Sequence, residues 1–255
     1  MSSNVAFGQI ESGLVLHATF DIDASDSGPM NYHGSLIGAI ISQESAIGIG
    51  AAYFDGLDDY IEFPPNVAYF KGNYSISIWA KMESCRIWSR ILDFNQDKPG
   101  SGNSVTWLIG RPGHTQNNMW FDQWVVYENN PVESIIDIRR MNPADAYLGY
   151  DIVPQKWTHY VITYNSKSQN HLGIQVNTKD QKVPLEGEVT LFVDGEKIST
   201  SNFCLNPQGE PTTANWLGRS RFDADPYYKG YMDDFRIYDR VLSENEITEL
   251  FKMRK

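Results

Sequence analysis

The strict alternation of residues 74–82 constrains the fold of this chain more than any other feature. Its apolar side chains Ile76, Ile78, Ala80 and Met82 fall at every second position, with Ser75, Ser77, Trp79 and Lys81 between them. A period of two is typical of a β-strand that buries one face, because successive side chains of a strand point to opposite faces of the sheet. The segment therefore predicts a half-buried strand.

Short apolar runs of the same kind recur along the chain and are separated by turn residues. They cover residues 13–20, 51–54, 59–63, 90–94, 105–109, 157–164 and 189–198. In the last run, Asp194 and Gly195 supply the positive φ angles that a two-residue hairpin turn requires. Many short strands with turn signals between them predict an all-β antiparallel sandwich.

The passage 230–251 predicts a strand that leads directly into a helix. Alternation places Phe235 and Ile237 on the core face of this strand together with Asp233. Asp234 then lies on the opposite face, where we expect its carboxylate to be exposed to solvent and charged.

A short amphipathic helix is predicted after this strand. Ser243 and Glu246 have the spacing of a capping box, in which each side chain accepts a hydrogen bond from the backbone amide of the other. Ile247, Leu250 and Phe251 form a short apolar stripe. We expect this helix to dock on a sheet.

Size and charge limit the domain count and the class of partner. A chain of 255 residues fits one large sandwich or two small domains, and no Pro/Gly/Ser linker separates two halves, so we predict a single domain over 1–255. The formal net charge is −11, which disfavours nucleic acid as a partner because phosphate binding needs a basic surface. No run approaches about 18 apolar residues, so no membrane insertion is expected.

Location and cysteine pairing stay open at this point. The first residues have neither a basic start nor an apolar run, so no signal peptide is visible. We therefore expect a cytoplasmic protein if the sequence is taken as it is given, or a secreted protein if a signal peptide has been trimmed from it. Cys85 and Cys204 form one disulfide or remain two thiols, because their spacing does not give their distance.

Two segments interrupt the rhythm of strands, residues 111–152 and 165–187. The first contains tryptophans, arginines and amides, and the second is polar. Long loops on a rigid scaffold often carry the function, so we interpret both as insertions in the sandwich, and the first as a candidate binding loop.

Several motifs together resemble the LamG-like jelly-roll domains of the laminin G and concanavalin A-like lectin/glucanase superfamily. The matching runs are Leu14–Asp21, Asp26–Gly28 with His33–Gly34, Ala52–Ile61, Tyr74–Ala80, Trp157–Val161, Leu191–Gly195 and the C-terminal passage 216–247. They span nearly the whole chain in the order of the family. The resemblance implies two stacked antiparallel sheets and a domain, mostly non-catalytic, that binds glycans or proteins, commonly with a calcium ion.

The resemblance also implies a structural calcium site. In related jelly rolls the ion joins an N-terminal turn to an aspartate of the last strand, and the matching positions here are Asp21 and Asp234, with Asp26 and the carbonyl of Gly56 as further ligands. Carboxylate and carbonyl oxygens are the ligands that calcium prefers. The alternative is that Asp21, Asp23 and Asp26 cap turns through the backbone.

A glycan site is predicted within the first insertion. Sugar rings present apolar C–H faces that stack on aromatic rings, while amides, carboxylates and cations bind the hydroxyls. The candidate residues are the stacking platforms Trp120 and Trp124 and the polar contacts Arg111, Gln116, Asp122 and His114. The alternative is that these tryptophans belong to the core.

Two other functions remain open. The paired carboxylates of a glycosidase and the strand motif Glu-x-Asp-x-(x)-Glu of sandwich glucanases are not found in the sequence. A polysaccharide-active or biosynthetic enzyme without a recognised motif is the first alternative, and a protein–protein interaction module is the second. We favour a calcium-containing, non-catalytic module that binds a glycan or glycoconjugate.

Overall fold

A computed structural model describes residues 10–67, 72–96, 104–109, 117–126, 135–136, 147–166, 187–203 and 212–254. These residues form two antiparallel sheets and one helix. The elements are β1 (Leu14–Ala18), β2 (Ser35–Ile37), β3 (Ile40–Ser42), β4 (Ala51–Asp55), β5 (Tyr60–Phe63), β6 (Tyr74–Ser84), β7 (Ser89–Asn95), β8 (Ser104–Ile109), β9 (Asn118–Val126), β10 (Ile135–Ile136), β11 (Tyr147–Asp151), β12 (Thr158–Ser166), β13 (Gly187–Val193), β14 (Glu196–Phe203), β15 (Ala214–Leu217), β16 (Lys229–Tyr238) and α1 (Glu244–Lys252).

The two sheets confirm the predicted sandwich. The first sheet has the order β14-β13-β12-β6-β16-β4-β3, and β1 also pairs with β16. The second sheet has the order β10-β9-β8-β7-β15-β5-β2, and β11 also pairs with β9. The first and last strands of the chain are therefore neighbours, and they pair antiparallel.

The main core lies between the two sheets and follows the alternation of the sequence. Ile76, Ile78, Ala80 and Met82 of β6 are all buried in it, as the period of two predicts. Trp107 of β8 and Phe94 of β7 reach the same core from the second sheet. Sheet-on-sheet burial of this kind supplies the main stabilisation of a sandwich.

The helix α1 packs on the outer face of the first sheet. Its capping box is present, with the Glu246 amide donating to Ser243 Oγ at 3.3 Å and the Ser243 amide donating to Glu246 Oε2 at 2.8 Å. Ile247 and Leu250 are buried in a second cluster, with Leu14, Val161, Phe192 and Tyr238 of the sheet. Both features confirm the predicted helix and its docking.

The prediction of a loop over 111–152 is wrong for its central part. Residues 118–126 form β9, which pairs with β8 from Asn118 to Trp124 and continues the second sheet. Met119 and Phe121 belong to the main core, so this strand alternates like the others. The alternation was hidden because Trp120, which lies between the core residues Met119 and Phe121, is aromatic rather than polar.

The alternation predicted for β16 is interrupted by a β-bulge. Met232 and Phe235 both face the main core although they are three residues apart. The extra residue lies between Asp233 and Arg236, where the register against β6 shifts, and Asp234 has a φ of 47°. Asp233 therefore does not share the face of Phe235.

The expectation that Asp234 is solvent-exposed is also wrong. Its exposed fraction is 2%. The bulge lies where β16 changes its partner from β4 to β1, so this position is inside the sheet between neighbouring strands. Phe235 and Ile237 face the core, as the alternation predicts.

Two further observations concern the membrane and the thiols. In the part of the chain that the structure describes, no helix has the length and apolar character needed to cross a bilayer. Cys85 is a partly buried free thiol, and burial raises its pKa to about 11. Cys204 lies outside the described residues.

Asp233 is a buried carboxyl group that gives the fold a pH dependence. Its Oδ2 accepts hydrogen bonds from the amides of Ala46 at 2.8 Å and Ile47 at 2.9 Å. Within the described residues its Oδ1 has no hydrogen-bonding partner. Burial raises the pKa of Asp233 to about 7, against the opposing effect of the two amides.

We predict that the free energy of unfolding falls as the pH rises, because Asp233 loses its proton. The unfolded chain releases this proton near pH 4 and the folded chain near pH 7, so the free energy of unfolding falls between these values. A shift of about three units corresponds to about 4 kcal/mol. Urea unfolding at pH 4.5 and pH 8 should show a smaller fall in the free energy of unfolding for Asp233→Asn than for the wild type. Asp239→Asn, at an exposed position, is the control. An equal fall in wild type and Asp233→Asn would contradict the assignment.

Candidate functional site

Three connections between the sheets meet at one end of the sandwich. The acidic turn (Asp55–Asp59) joins β4 to β5, residues 85–88 join β6 to β7, and the 218–228 loop joins β15 to β16. Arg86 donates from Nη2 to the carbonyl of Gly56 in the acidic turn at 2.7 Å and to the carbonyl of Tyr227 in the loop. One guanidinium group therefore holds all three connections together.

The 218–228 loop is closed at its base by Gly218. The Gly218 amide donates to the carbonyl of Ile91 at 3.0 Å, and the Tyr228 amide donates to the carbonyl of Gly218 at 2.8 Å. Gly218 has a φ of 85°, and a Cβ there would lie 2.8 Å from Phe54 Cδ1. Both conditions require glycine at this position.

A buried polar cluster pins the loop to the outer face of the second sheet. Asp93 of β7 accepts hydrogen bonds from Asn95 Nδ2 at 3.0 Å, Thr106 Oγ1 at 3.3 Å and the amide of Arg221 at 3.1 Å. Asp93 is fully buried. Because these donors hold the carboxylate in place, the cluster fixes the start of the loop against β7 and β8.

An ion pair between Arg90 and Asp225 fixes the second half of the loop. Arg90 Nη2 donates to Asp225 Oδ2 at 2.8 Å, and Ser220 Oγ donates to the same oxygen at 2.8 Å. The side chain of Arg90 is only 4% exposed, so the pair is shielded from water. The backbone on both sides of residue 219 is therefore held at defined points.

An aromatic shelf (Tyr60, Trp216 and Arg219) lies at the edge of this loop. Tyr60 and Trp216 meet edge to face with ring centroids 6.3 Å apart. The guanidinium carbon of Arg219 lies 4.4 Å from the Trp216 ring centroid and 4.9 Å from that of Tyr60. Glu62 accepts a hydrogen bond from Trp216 Nε1 at 3.1 Å. Tyr60 is half-buried, so the shelf combines an accessible ring with charged groups.

The acidic turn immediately precedes this shelf in sequence. Carboxylate oxygens of Asp55, Asp58 and Asp59 lie within 4.8 Å of one another. Burial, reinforced by the charges of Asp55 and Asp58 and opposed by the Asp55 amide, raises the pKa of Asp59. Three crowded carboxylates are a donor set that suits a hard divalent cation.

The predicted calcium ligand Asp234 is engaged by protein donors. Its Oδ1 lies 2.7 Å from His17 Nε2 of β1 and accepts from Arg236 Nη2 at 3.0 Å, while its Oδ2 accepts from Arg236 Nε at 3.1 Å. Burial disfavours the charged carboxylate, but Arg236 and His17 outweigh it and hold the pKa of Asp234 well below its usual range. The ion pair between Asp234 and Arg236 therefore lies within β16, and the His17 contact joins β1 to the same carboxylate. This donor set does not suit a calcium ion.

The other predicted calcium ligands lie in three different turns. Asp26 accepts from the amides of His17, Gly28 and Tyr32 at 2.7–2.9 Å. Asp21 accepts from the amides of Ile49 and Gly50. Both carboxylates thus cap backbone turns, which is the alternative that the sequence left open. Gly56, in contrast, lies within the acidic turn.

Ser27, His17 and Asp234 form a chain of contacts that resembles a catalytic triad. Ser27 Oγ lies 3.1 Å from His17 Nδ1, and His17 Nε2 lies 2.7 Å from Asp234. However, the amide of Ser27 donates to the carbonyl of His17, and the amide of Gly28 donates to Asp26. Both neighbouring amides are thus engaged and cannot stabilise an oxyanion. We interpret the chain of contacts as structural.

The sequence matches the Laminin_G_3 family, described as the concanavalin A-like lectin/glucanases superfamily, over residues 54–248. The chain belongs to this superfamily. It is 28% identical to neuronal pentraxin-2 of Mus musculus and 27% identical to that of Homo sapiens over 159 residues. These 159 residues are 60% of the chain, and the match covers only 30% of the length of either relative.

Solved structures show the same fold at low sequence identity. Domain 4 of AbnA, a GH43 extracellular arabinanase from Geobacillus stearothermophilus, in complex with arabinotriose, is 19% identical with a TM-score of 0.64, and the match covers 93% of this chain and 97% of that domain. The botulinum neurotoxin serotype D ligand binding domain in complex with N-acetylneuraminic acid is 16% identical with a TM-score of 0.57, and the match covers 97% of this chain and 52% of that one.

The predicted glycan contacts of this superfamily member are only partly described. Trp120 is 1% exposed, and its Nε1 donates to Asn118 Oδ1, so its ring is buried. The backbone of Asp122 pairs with Thr106, and that of Trp124 pairs with Ser104, on the second sheet. Arg111, His114 and Gln116 lie outside the described residues.

Sequence reasoning missed the aromatic shelf. The run Trp216–Arg219 was recognised as part of a family motif, but it was given no role in binding. Its partners Tyr60 and Glu62 lie more than 150 residues earlier, and only the pairing of β15 with β5 brings Trp216 opposite Glu62. The one signal in the sequence is that Tyr60, Glu62 and Trp216 alternate with the apolar residues of these two short strands.

We predict that Asp234→Ala is strongly destabilising, because it removes the ion pair with Arg236 within β16 and the contact with His17 that joins β16 to β1. Arg236 is 5% exposed, so the substitution leaves a buried charge without its partner, at a cost of about 3–5 kcal/mol. Denaturant unfolding measures this change. Glu249→Ala removes the exposed ion pair with Lys252 and should change stability by less than about 1 kcal/mol. Similar effects of the two variants would contradict a structural role for Asp234.

Proposed function

We propose that this chain is a non-catalytic glycan-binding module that carries a structural calcium ion. Membership of the concanavalin A-like superfamily supports this function. Two domains with the same fold are described in complex with arabinotriose and with N-acetylneuraminic acid. The fold does not by itself establish a ligand, so the proposal depends on the chemistry of the outer face of the second sheet.

The aromatic shelf is the observation that carries the proposal. Tyr60 offers a half-buried ring, and Glu62 and Arg219 place a carboxylate and a guanidinium beside it. A sugar presents a C–H face to such a ring and hydroxyl groups to such polar neighbours. The buried cluster around Asp93 holds the shelf rigid, which lowers the entropy cost of binding.

The first insertion remains a proposed second part of the same surface. In the second sheet β7 and β8 separate β15 from β9. Strand spacing puts these two strands roughly 14 Å apart, which suits an oligosaccharide rather than a single sugar. Arg111, His114, Gln116, Asp122 and Trp124 are the proposed contacts there. Trp120 is assigned to packing because its ring is buried.

Binding is proposed rather than turnover because the carboxylates beneath the loop are engaged by hydrogen bonds. Asp93 accepts from Asn95, Thr106 and the Arg221 amide, and Asp225 accepts from Arg90 and Ser220. A general acid or a nucleophile must instead be free to exchange a proton or attack the substrate.

We predict that Tyr60→Ala weakens glycan binding by about fivefold or more, because a stacking contact with an aromatic ring contributes about 1 kcal/mol or more. A glycan array followed by calorimetry on the strongest hits measures this change. Arg111→Ala and Gln116→Ala test the insertion in the same way.

Lys252→Ala on α1 is the matched control for these variants, because it changes an exposed residue on the other layer of the sandwich. Wild-type protein that binds no sugar on the array, with and without calcium, would contradict the proposed function. Unchanged binding by Tyr60→Ala would remove the aromatic shelf from the site.

The acidic turn is the proposed position of the calcium ion. Asp55, Asp58 and Asp59 would hold it. The carbonyl of Gly56, in the same turn, accepts a hydrogen bond from Arg86 at 2.7 Å and is not assigned as a ligand. The ion would supply positive charge that compensates the crowded carboxylates and fixes the connection between the two sheets. It then stabilises the fold by mass action, by about 2.7 kcal/mol at a concentration 100 times the dissociation constant.

We predict that Asp58→Asn loses most calcium affinity while the protein remains folded, because Asp58 is exposed. Calorimetric titration and the calcium-dependent shift in melting temperature measure this loss. Asp223→Asn, at a residue that is 97% exposed, is the control. Loss of calcium binding in Asp21→Asn but not in Asp58→Asn would move the site to the N-terminal turn. Calcium binding by neither wild type nor variants would contradict the proposal.

A further inference from the structure

We propose that Arg219 makes the glycan-binding face selective for sugar residues that carry a carboxylate group. The inference rests on the proposed function, because it names the class of ligand for the aromatic shelf. It follows from the position of one guanidinium group, from the partners that this group lacks and from the rigidity of its backbone.

The guanidinium of Arg219 is held at the surface but is not neutralised there. It lies over the rings of Trp216 and Tyr60, and 26% of the side chain is exposed. Within the described residues its one carboxylate neighbour is Asp223, at 3.8 Å. Asp223 is 97% exposed, and an ion pair of this kind contributes little. Among the same residues the guanidinium of Arg219 donates no hydrogen bond, so its donors are available to a ligand.

Other arginines of the molecule are used differently. Arg90 donates to Asp225, Arg236 binds both oxygens of Asp234, and Arg240 binds Glu246 through two nitrogens. Their charges are compensated within the fold. Arg219 differs from these three, because the fold positions it on two rings without a hydrogen-bonded anionic partner among the described residues.

The backbone fixes the position of this cation before a ligand arrives. Gly218, with its φ of 85°, is hydrogen-bonded to Ile91 and Tyr228 on one side of Arg219. Ser220 is bonded to Asp225 on the other side. Two aromatic rings restrict the side chain itself. A pre-positioned guanidinium loses little conformational entropy on binding a carboxylate, which it can contact through two parallel hydrogen bonds.

The charge of the whole chain makes a local cation necessary for an acidic ligand. A net charge of −11 repels anionic glycans at long range. At physiological ionic strength, salt screens the repulsion between charges that are more than about 8 Å apart. At the aromatic shelf, the ring of Tyr60 contacts the C–H face of the sugar, and the guanidinium of Arg219 donates hydrogen bonds to its carboxylate. Neutral sugars lack this charge-assisted contact.

The experiment compares acidic sugars with their neutral partners. N-acetylneuraminic acid and trigalacturonate are titrated against their carboxyl methyl esters by calorimetry, with arabinotriose as a neutral reference. We expect the wild type to prefer at least one free acid over its ester by about tenfold, as a charge-assisted bidentate contact suggests. The two acids distinguish a sialic acid from a uronic acid as the source of the carboxylate.

Arg219→Gln should reduce the affinity for each free acid to that for its ester, because it removes the charge but keeps a polar side chain over the rings; arabinotriose measures any loss that neutral sugars share. Arg219→Lys should retain only part of the preference, since an ammonium group cannot form the bidentate contact. The matched control is Arg254→Gln, because Arg254 lies over the Trp79 ring at 5.4 Å on the first sheet. Thermal melting confirms that each variant is folded.

Two results would overturn the inference while leaving the proposed function intact. The first is binding of arabinotriose or of the esters by the wild type without a preference for either acid. The second is a preference that survives in Arg219→Gln. If the wild type binds none of these sugars and none on a glycan array, the proposed function itself fails, and this inference fails with it.

Discussion

The buried ion pair between Asp234 and Arg236 is the interaction on which the first sheet depends. It lies at the bulge of β16, where this strand changes its partner from β4 to β1. The bulge allows Met232 and Phe235 to face the same core on both sides of the change. His17 of β1 contacts the same carboxylate, so a side-chain contact joins the first and last strands in addition to their backbone hydrogen bonds. A buried carboxylate is tolerated there because two donors compensate it.

The candidate site follows from this closure. With β16 fixed between β6, β4 and β1, the connections before β16, after β4 and after β6 all meet at one end of the sandwich. Arg86 belongs to the connection after β6 and donates hydrogen bonds to the other two connections. The acidic turn and the aromatic shelf then become neighbours, although Asp59 and Trp216 are far apart in sequence. A metal ion at the turn and a sugar on the shelf would therefore depend on the same few backbone contacts.

The sequence predicts the fold well and the site poorly, for physical reasons. Alternation in β6 and the capping box at Ser243 are local signals, and both are confirmed by the structure. A bulge adds one residue without changing the composition, so the face of Asp233 and the burial of Asp234 were predicted wrongly. Carboxylates also have several uses, and Asp26 accepts hydrogen bonds from the backbone amides of its turn.

The aromatic shelf shows the same limit for binding residues. Tyr60 and Trp216 become neighbours only through the pairing of β5 with β15, which no local pattern encodes. Trp120 was predicted to be a stacking platform because it lies in a polar segment, but β9 is a regular strand and the ring is buried. Tryptophans in a sandwich must therefore be judged by strand register as well as by neighbouring sequence.

A crystal structure of the protein with calcium and an acidic trisaccharide is the most direct measurement of the central claim, that one end of the sandwich forms the binding site. The account predicts sugar density against Tyr60 with a carboxylate at Arg219, and an anomalous peak among Asp55, Asp58 and Asp59. Sugar density on the outer face of the first sheet beside α1, or a metal peak bound by Asp21, would contradict it.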